Sequence, residues 1–251
     1  MSFKIVIPAR YASSRLPGKP LLDIAGKPMI QHVYDRACES EAKTVIIATD
    51  DQRIADVATN FGATVCMTSD QHRSGTDRLA EVAQSHAFAD EDIVINVQGD
   101  EPCLPAQLIN QVAADLAQHP EADMASLFSR IRQEKQVFDP NVVKVVMDGE
   151  GYALYFSRAP IPWMRDHFNT ASTLPPELPH YRHIGLYGYR ASFLKYYAEL
   201  TPCLLETEES LEQLRVLFHG KKIHMTEALI SAGHGIDTEE DLVRVRQILT
   251  E

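Results

Sequence analysis

Three cationic side chains follow the first apolar segment of the chain. Arg10, Arg15 and Lys19 lie in a turn-rich loop that also contains Ser13. Arginine can hold two phosphate oxygens and lysine acts as a point charge, so the loop could bind a polyphosphate, with the serine adding a hydroxyl donor. The alternative is a solvated loop, since arginine and lysine side chains are mostly exposed in proteins.

The cationic loop lacks the glycine patterns of the common phosphate-binding motifs. Neither G-x-x-x-x-G-K-[ST] nor G-x-G-x-x-G occurs in it, so P-loop and Rossmann dinucleotide chemistry have no support. In transfer at phosphorus, a protein mainly positions the reacting groups and stabilises charge on the phosphoryl oxygens. Arginine and lysine side chains suit that work.

The segment QGDEP, residues 98–102, places a carboxylate after another apolar run. Asp100 follows the segment DIVINV, which is too apolar to lie outside the core. Magnesium prefers oxygen ligands and is usually held by one or two carboxylates together with substrate phosphates. Asp100 therefore fits a metal-binding role, although Asp100 or Glu101 could instead cap the turn that follows.

A second carboxylate would complete such a metal site. Asp237 lies beyond a glycine-rich turn, in the segment GIDTEEDL, ahead of the last predicted helix. An aspartate at this position is commonly the N-cap of the helix. Thr238 and Asp241 also have the spacing of a capping box, with Asp in place of Glu. Sequence spacing alone does not bring Asp237 to Asp100.

The elements that must position these residues alternate between strands and helices in the first half of the chain. Strands joined by helix-length segments pair in parallel through right-handed crossovers, with helices on both faces. The predicted fold class is therefore α/β, a three-layer α/β/α arrangement around a mostly parallel sheet. The predicted strands are 3–8, 44–49, 63–68 and 92–97, and the predicted helices begin at Pro28 and near Ile54, Leu79 and Leu108.

Ligands of such open sheets bind beyond the carboxyl ends of the strands. The loops after Pro8, Thr49 and Val97 should therefore converge at one edge. This convergence would make the cationic loop and QGDEP spatial neighbours.

The second half of the chain is richer in strand patterns. Strands are predicted at 142–147, 151–157, 183–189 and 222–228, the first two joined by a DGEG turn that suits a hairpin. Helical patterns cover 204–218 and 238–249. The proline-rich segment 159–179 is predicted to be a long loop.

Composition limits the classes of function. The 251 residues carry a net charge of −11, which argues against a broad nucleic-acid surface. No apolar run is long enough for membrane insertion, and the opening MSFKIVIP lacks the features of a signal peptide, so a cytoplasmic protein is expected. Without a C-x-x-C pair, the four cysteines give little support to a zinc site or disulfides, and the remaining histidines indicate no metal cluster.

Eight segments, in order along nearly the whole chain, resemble the 3-deoxy-manno-octulosonate cytidylyltransferases, also called CMP-Kdo synthetases. The first segment, and the pair FSRAPIPW and RHIGLYGYR, are specific to this family among sugar nucleotidyltransferases. The segments are IPARYASSRLPGKPLLDIAGKPMIQHVY, SGTDRLAE, VINVQGDEP, NVVKVV, YALYFSRAPIPW, RHIGLYGYR, LEQLRVL and GIDTEEDL.

This resemblance implies an activity and an architecture. Members of the family transfer CMP from CTP to the C2 hydroxyl of 3-deoxy-D-manno-octulosonate (Kdo) and release pyrophosphate. They use Mg2+ as cofactor, and their product, CMP-Kdo, is used in lipopolysaccharide synthesis. It also implies a fold similar to nucleotide-diphospho-sugar transferases, with a smaller β-rich part for sugar binding and dimerisation, and a homodimer. One nucleotidyltransferase domain is expected over 1–251, with CTP bound mainly by 1–130; the part 131–251 would mainly bind Kdo, form the dimer and complete the metal site.

The resemblance also implies roles for individual residues. Asp100 and Asp237 correspond to metal ligands, and these two with Lys19 and Arg15 form the catalytic set. The implied nucleotide-binding residues are Ala9, Arg10, Ser13, Arg15, Lys19, Ser74, Gly75, Arg78, Gln98 and Asp100. The implied sugar-binding residues are Arg158, His183, Tyr187, Glu212 and Gln213.

Other interpretations stay open at this point. Taken singly, Arg158, His183 and Gln213 could be a surface arginine, a strand histidine with its hydrogen bonds satisfied and a solvated glutamine. The chain could also act on another 2-keto sugar acid, such as sialic acid or 8-amino-Kdo. A third possibility is a catalytically silent regulator that binds CTP.

Overall fold

Strands and helices alternate along the first half of the chain, as the residue pattern predicts. The structure is a computed structural model that describes residues 2–12, 16–72, 74–168 and 178–250. The strands of these ranges are β1 (Phe3–Ala9), β2 (Asp23–Ile24), β3 (Lys27–Pro28), β4 (Thr44–Thr49), β5 (Thr64–Met67), β6 (Ile93–Asn96), β7 (Met124–Arg130), β8 (Lys144–Met147), β9 (Ala153–Ser157), β10 (Tyr181–Arg190) and β11 (Ile223–Glu227). The helices are α1 (Met29–Cys38), α2 (Gln52–Asn60), α3 (Gly75–Ser85), α4 (Ala106–Gln118), α5 (Glu134–Phe138), α6 (Ala191–Tyr197), α7 (Leu204–Glu209), α8 (Gln213–Phe218) and α9 (Glu239–Thr250), with a 3-10 turn at Lys19–Leu21.

Seven strands form the main path of one sheet, in the order β11, β7, β10, β6, β1, β4, β5. β1 pairs in parallel with β4 and β6, β4 with β5, and β7 with β11. In this path β10 runs antiparallel to its two neighbours, β6 and β7. The predicted α/β class with a mostly parallel sheet is confirmed.

Apolar side chains on both faces of the sheet produce the three layers. Because successive strand residues point to opposite faces, Val6 joins one core cluster and Ile5 and Ile7 join another, and all three are fully buried. Val6 shares its cluster with residues of α3 and α6, whereas Ile5 and Ile7 share theirs with residues of α1, α2 and α4. The helices therefore lie on both sides of the sheet.

Strand β10 connects the β-rich part to the main sheet. This strand pairs with β6 only over Tyr187–Arg190, and its first residues pair with β7 and β8. β8 and β9 form the predicted hairpin, with Lys144 opposite Ser157. The strands of the first and second halves thus belong to one continuous sheet, and the assignment of the two halves to CTP and Kdo stays a prediction.

The chain after α4 also departs from prediction. β7, a strand of the main path, and α6 were not predicted from the residue pattern. The helical pattern predicted over 204–218 forms two helices, α7 and α8, because the chain breaks at Ser210, whose left-handed φ of 50° ends the first helix.

Among the described residues, no helix has the length and apolar character needed to cross a membrane.

Candidate active site

The loops after β1 and β6 meet at the carboxyl edge of the sheet, as predicted. Gly99, in the QGDEP segment, lies so close to the end of β1 that a Cβ placed on it would be 2.7 Å from the Pro8 carbonyl oxygen. Only glycine permits this approach without a shift of main chain. The approach brings Asp100 to the side of the cationic loop.

Three oxygens surround the ammonium group of Lys19 at this edge. Its Nζ donates to Asp100 Oδ2 at 2.7 Å, to Asp237 Oδ1 at 3.3 Å and to the carbonyl oxygen of Ile236. The Lys19 side chain is only 11% exposed, against 36% for Asp100 and 57% for Asp237. The two aspartates, distant in sequence, therefore converge on one cationic group.

Local structure at each end of the chain directs these side chains. Lys19 opens its 3-10 turn after Gly18, whose left-handed φ of 70° suits glycine. At the other end, the Thr238 hydroxyl accepts from the Asp241 main-chain N–H at 3.2 Å, while the Asp241 carboxylate accepts from the Thr238 N–H at 3.0 Å. The capping box is confirmed, and the interpretation of Asp237 as the helix N-cap is wrong.

The alternative role of Asp100 and Glu101 as side-chain caps is also not what the structure has. Helix α4 begins after Pro105 without a side-chain cap. The turn that follows QGDEP is closed by main chain, since the Leu104 N–H donates to the Glu101 carbonyl at 3.2 Å. The Asp100 carboxylate is therefore available to the cation beside it.

Residues 233–236 lie flat against residues 100–103. A Cβ on Gly235 would be 2.6 Å from Glu101 Oε1, and one on Gly233, which has a φ of 80°, would be 2.5 Å from the Cys103 carbonyl oxygen. The Ile236 N–H donates to the Asp100 carbonyl at 2.9 Å. This close packing of main chain holds the residue before Asp237 against Asp100.

Glu101 is a third carboxyl of the site that was not identified from the sequence. Burial raises the pKa of Glu101 to about 7, with further contributions from the charges of Asp100 and Asp237, against the lowering effect of Arg182 and Lys19. Glu101 thus lies close enough to Asp100, Asp237 and Lys19 for their charges to act on it. A further positive charge bound here would stabilise the ionised forms of these carboxyl groups.

Arg10 lies beside the N-terminus of α3. Its Nη2 donates to the Ser74 carbonyl at 2.9 Å. Ser74 and Asp77 form a capping box there, so Arg10 contacts the N-cap residue of the helix that starts at Gly75. Burial and then the charge of Arg78 lower the pKa of Arg10. A helix N-terminus with a guanidinium beside it favours an anionic ligand.

Arg78 lies inside the protein beneath this region. The residue is fully buried, and its guanidinium donates to Asp50 Oδ2 at 2.7 Å and to the Thr68 hydroxyl. This guanidinium therefore joins α3 to the residues that follow β4 and β5. Its assignment to nucleotide binding stays a prediction.

The other implied nucleotide-binding residues follow the same edge. Ala9 is the last residue of β1 and is buried, and Gln98 follows β6 by two residues and is half-buried. Ser13 and Arg15 lie outside the described residues, so their predicted roles stay predictions.

His183 and Gln213, from β10 and α8, are in contact in the second half of the chain. The Gln213 Nε2 lies 3.5 Å from His183 Nδ1, and the Ser126 Oγ lies 3.0 Å from His183 Nε2. Burial lowers the pKa of His183 to about 3, so the ring is neutral. Gln213 is 3% exposed, so the interpretation of a solvated glutamine is wrong.

Tyr187 and Glu212 extend this buried polar group toward α3. The Tyr187 ring centroid lies 5.4 Å from that of His183. The Thr76 hydroxyl donates to Glu212 Oε1 at 2.6 Å, and burial is the main cause that raises the pKa of Glu212. The implied sugar-binding residues therefore connect to the helix whose N-terminus faces Arg10.

Arg158 lies at the end of α7. Its Nε donates to the Glu209 carbonyl at 2.6 Å and its Nη1 to the Pro140 carbonyl at 2.8 Å. These contacts join the loop after β9 to α7 and to the loop before β8. The guanidinium is therefore engaged with main chain, and its assignment to the sugar stays a prediction.

A second group with metal-binding residue types lies at the C-terminal end of α4. Asp115, His119 and His224 offer ligand atoms within 4.8 Å of one another, which the residue spacing did not indicate. The two imidazole rings are stacked, with centroids 3.5 Å apart and an angle of 17°. Lone pairs in nearly parallel planes do not converge on one ion, and His224 already contacts Asp115 at 2.8 Å and the Glu150 carbonyl at 3.2 Å. We interpret this group as a structural network.

The sequence as a whole matches cytidylyltransferases. A protein-family model described as cytidylyltransferase matches residues 4–223. The chain is 56% identical over 251 residues to the 3-deoxy-manno-octulosonate cytidylyltransferase of Nitrosococcus oceani, a match that covers 99% of this chain and 97% of that protein. The chain belongs to the 3-deoxy-manno-octulosonate cytidylyltransferase family.

Solved structures agree with this family. The structure of a CMP:2-keto-3-deoxy-manno-octonic acid synthetase complexed with CTP matches with a TM-score of 0.89 and 42% identity, over 99% of this chain and 98% of that one. A 4-diphosphocytidyl-2C-methyl-D-erythritol synthase matches at 15% identity with a TM-score of 0.64, over 99% and 98% of the two chains. The second match concerns the fold alone.

Proposed function

We propose that this protein transfers CMP from CTP to the C2 hydroxyl of 3-deoxy-D-manno-octulosonate, giving CMP-Kdo and pyrophosphate. The family and the name of the Nitrosococcus oceani relative support the sugar acid. The similar synthetase that was solved with CTP supports the nucleotide. The residues of this chain supply a further, independent argument.

The observation that carries the proposal is the convergence at Lys19. Asp100 and Asp237 are far apart in the sequence, and both contact its ammonium group. Arg10 and the N-terminus of α3 lie at the same edge of the sheet. Carboxylates for a cation beside donors for phosphate are the parts that phosphoryl transfer needs.

The residues present fit a magnesium ion, which we propose as the cofactor. Asp100 and Asp237 offer hard oxygen ligands on one side of the site and are both partly exposed. When bound, Mg2+ would lower the pKa of the acceptor hydroxyl and neutralise charge at the α-phosphate. Asp100 and Asp237 are the residues that would hold it.

The cationic residues would bind and orient the triphosphate. Lys19, Arg10 and Arg15 are the proposed donors, and the first turn of α3 from Gly75 would add main-chain N–H groups. The acceptor oxygen forms a bond to the α-phosphorus while the bond from that phosphorus to the leaving pyrophosphate breaks. We expect no covalent enzyme intermediate and assign no serine or cysteine nucleophile.

The buried polar group around His183 would read the sugar acid. A neutral imidazole and the Gln213 amide can orient hydroxyl groups, and the Tyr187 ring lies beside His183. Glu212 precedes Gln213 and accepts from the Thr76 hydroxyl. Arg158 would pair with the carboxylate of Kdo only if it exchanged its main-chain partners.

We further propose a cytoplasmic homodimer whose product enters lipopolysaccharide synthesis. Large exposed hydrophobic residues support the dimer, because eleven of the twelve in the described part of the chain lie after residue 130. Exposed apolar residues that lie side by side form interaction surfaces. This half is the one to which dimerisation was assigned.

The test is product formation with purified protein, CTP and Mg2+. We expect CMP-Kdo and pyrophosphate from Kdo, with a kcat/KM at least tenfold above that for sialic acid or 8-amino-Kdo. A higher kcat/KM for either analogue would reassign the substrate. CTP binding without product from any of the three sugar acids would identify a silent regulator and refute the proposal.

A further inference from the structure

Lys19 is saturated by oxygens of the proposed metal site. An ammonium group has three N–H donors, and its three acceptors here are Asp100 Oδ2, Asp237 Oδ1 and the Ile236 carbonyl. Its side chain is 11% exposed, so water contributes little to its solvation. The two aspartates and the carbonyl therefore surround a cation, as metal ligands would, and that cation is the Lys19 ammonium.

This contact has two consequences for a divalent ion. The ion would have to take carboxylate oxygens that the ammonium already holds, and a second positive charge would lie near the first one. The acids are also kept together by the lysine, because Asp100 and Asp237 would otherwise repel each other across the site.

The position of Lys19 in the chain gives it a second set of partners. It lies in the same loop as Arg10, which faces the N-terminus of α3. The lysine side chain has a flexible stem of four carbons. The ammonium can therefore reach a different acceptor while the 3-10 turn after Gly18 stays in place.

We propose that the Lys19 ammonium is a built-in placeholder that holds Asp100 and Asp237 together and is displaced from them when a divalent cation binds. The displaced ammonium is then free to contact phosphate oxygens. This inference rests on the proposed metal role of the two aspartates. It predicts that Lys19 opposes metal binding in the protein without nucleotide, although it assists the reaction.

The first experiment measures Mn2+ binding by electron paramagnetic resonance without nucleotide. Lys19→Met keeps the length of the side chain and removes its charge, so we expect its Kd for Mn2+ to be lower than that of the wild type by roughly tenfold. Lys27→Met is the matched control, since Lys27 is an exposed lysine paired with Asp35 at 2.7 Å. The control should bind Mn2+ like the wild type.

Equal or weaker binding by Lys19→Met would overturn the placeholder, while the metal role of the aspartates would stand if Asp100→Asn abolished Mn2+ binding. No Mn2+ binding by any of these proteins would refute both.

A second measurement uses the wild type and does not depend on the folding of a variant. The rate at which an acetylating reagent modifies Lys19 is measured by mass spectrometry with and without Mg2+. Displacement exposes the amine, so we expect the rate at Lys19 to rise at least threefold while the rate at Lys27 stays unchanged. An unchanged rate at Lys19, at a Mg2+ concentration that saturates the site, would contradict displacement. It would mean that Mg2+ binds while the amine stays buried beside the aspartates.

Discussion

Single residues of the site combine charge with burial in ways that residue type alone does not reveal. The loop cations and Asp100 could be selected from the sequence by the chemistry of phosphate and magnesium. The contact of Lys19 with Asp100 and Asp237 could not be predicted. These aspartates follow Lys19 by 81 and 218 positions, and sequence spacing contains no information on distances in space over such separations. The same holds for Glu101, whose pKa is raised by burial in the folded protein, where Gly235 packs against its carboxyl.

His183 gives a prediction at the residue scale that concerns pH. Its pKa is lowered to about 3 in the folded protein from an ordinary value of 6.5, so below pH 6.5 the unfolded chain binds a proton that the folded chain does not. The stability contributed by the neutral ring is complete above pH 6.5 and decreases as the pH falls toward 3, by up to about 1.4 kcal/mol per pH unit. We expect the unfolding free energy of His183→Gln, measured in urea, to fall less steeply than that of the wild type between pH 6.5 and 5.

The control for this measurement is His86→Gln, since His86 is exposed. It should have the pH dependence of the wild type. Parallel curves for His183→Gln and the wild type would show that His183 is not held neutral.

At the scale of elements, strands β1, β4, β5 and β6 and helices α1 to α4 followed from the residue pattern, because each of these strands is apolar and each helix has one apolar face. The two-residue strands β2 and β3 were not predicted, because they are too short to produce a pattern. β7 escaped detection because its sequence, MASLFSR, has apolar residues next to one another and no regular alternation. The helix α6 has seven residues, too few for a periodic pattern to stand out. The break between α7 and α8 depends on the conformation of Ser210, which no local pattern announces.

The approach of β1 and the loop after β6 leads to a prediction at this scale. Gly99→Ala places a methyl group 2.7 Å from the Pro8 carbonyl oxygen, so main chain must shift and the two loops must separate. We expect a loss of unfolding free energy of about 1–3 kcal/mol and a lower affinity for CTP. Urea denaturation and calorimetric titration with CTP measure the two effects.

Gly149→Ala is the matched control, because a Cβ at Gly149 would meet no atom within 4 Å. Its stability and CTP affinity should equal those of the wild type. If Gly99→Ala behaved like this control, the two loops would not need their close contact.

At the scale of the whole molecule, the distribution of exposed apolar residues supports a dimer formed by the second half. With a chain mass of 28.1 kDa, sedimentation equilibrium should give twice that mass at micromolar concentration. Leu154 lies 60% exposed in β9, at the end of the branch of the sheet that β8 and β9 form. Replacing it with Asp should weaken association by tenfold or more, because an interface of this kind does not tolerate an unpaired charge.

The matched control is Met67→Asp, because Met67 lies in the first half of the chain and is 49% exposed. This variant should associate like the wild type. A monomer at all concentrations would refute the homodimer, and unchanged association of Leu154→Asp would exclude β9 from the interface.

The proposed reaction depends on the joint action of Asp100 and Asp237, which are far apart in the sequence. Steady-state turnover of Asp237→Asn at saturating Mg2+, CTP and Kdo tests this most directly. Asp35→Asn, in an exposed pair with Lys27, is the control and should turn over like the wild type. We predict that Asp237→Asn keeps its fold and its affinity for CTP within a few-fold but loses kcat by ~100-fold or more. Turnover at the wild-type rate would contradict the account.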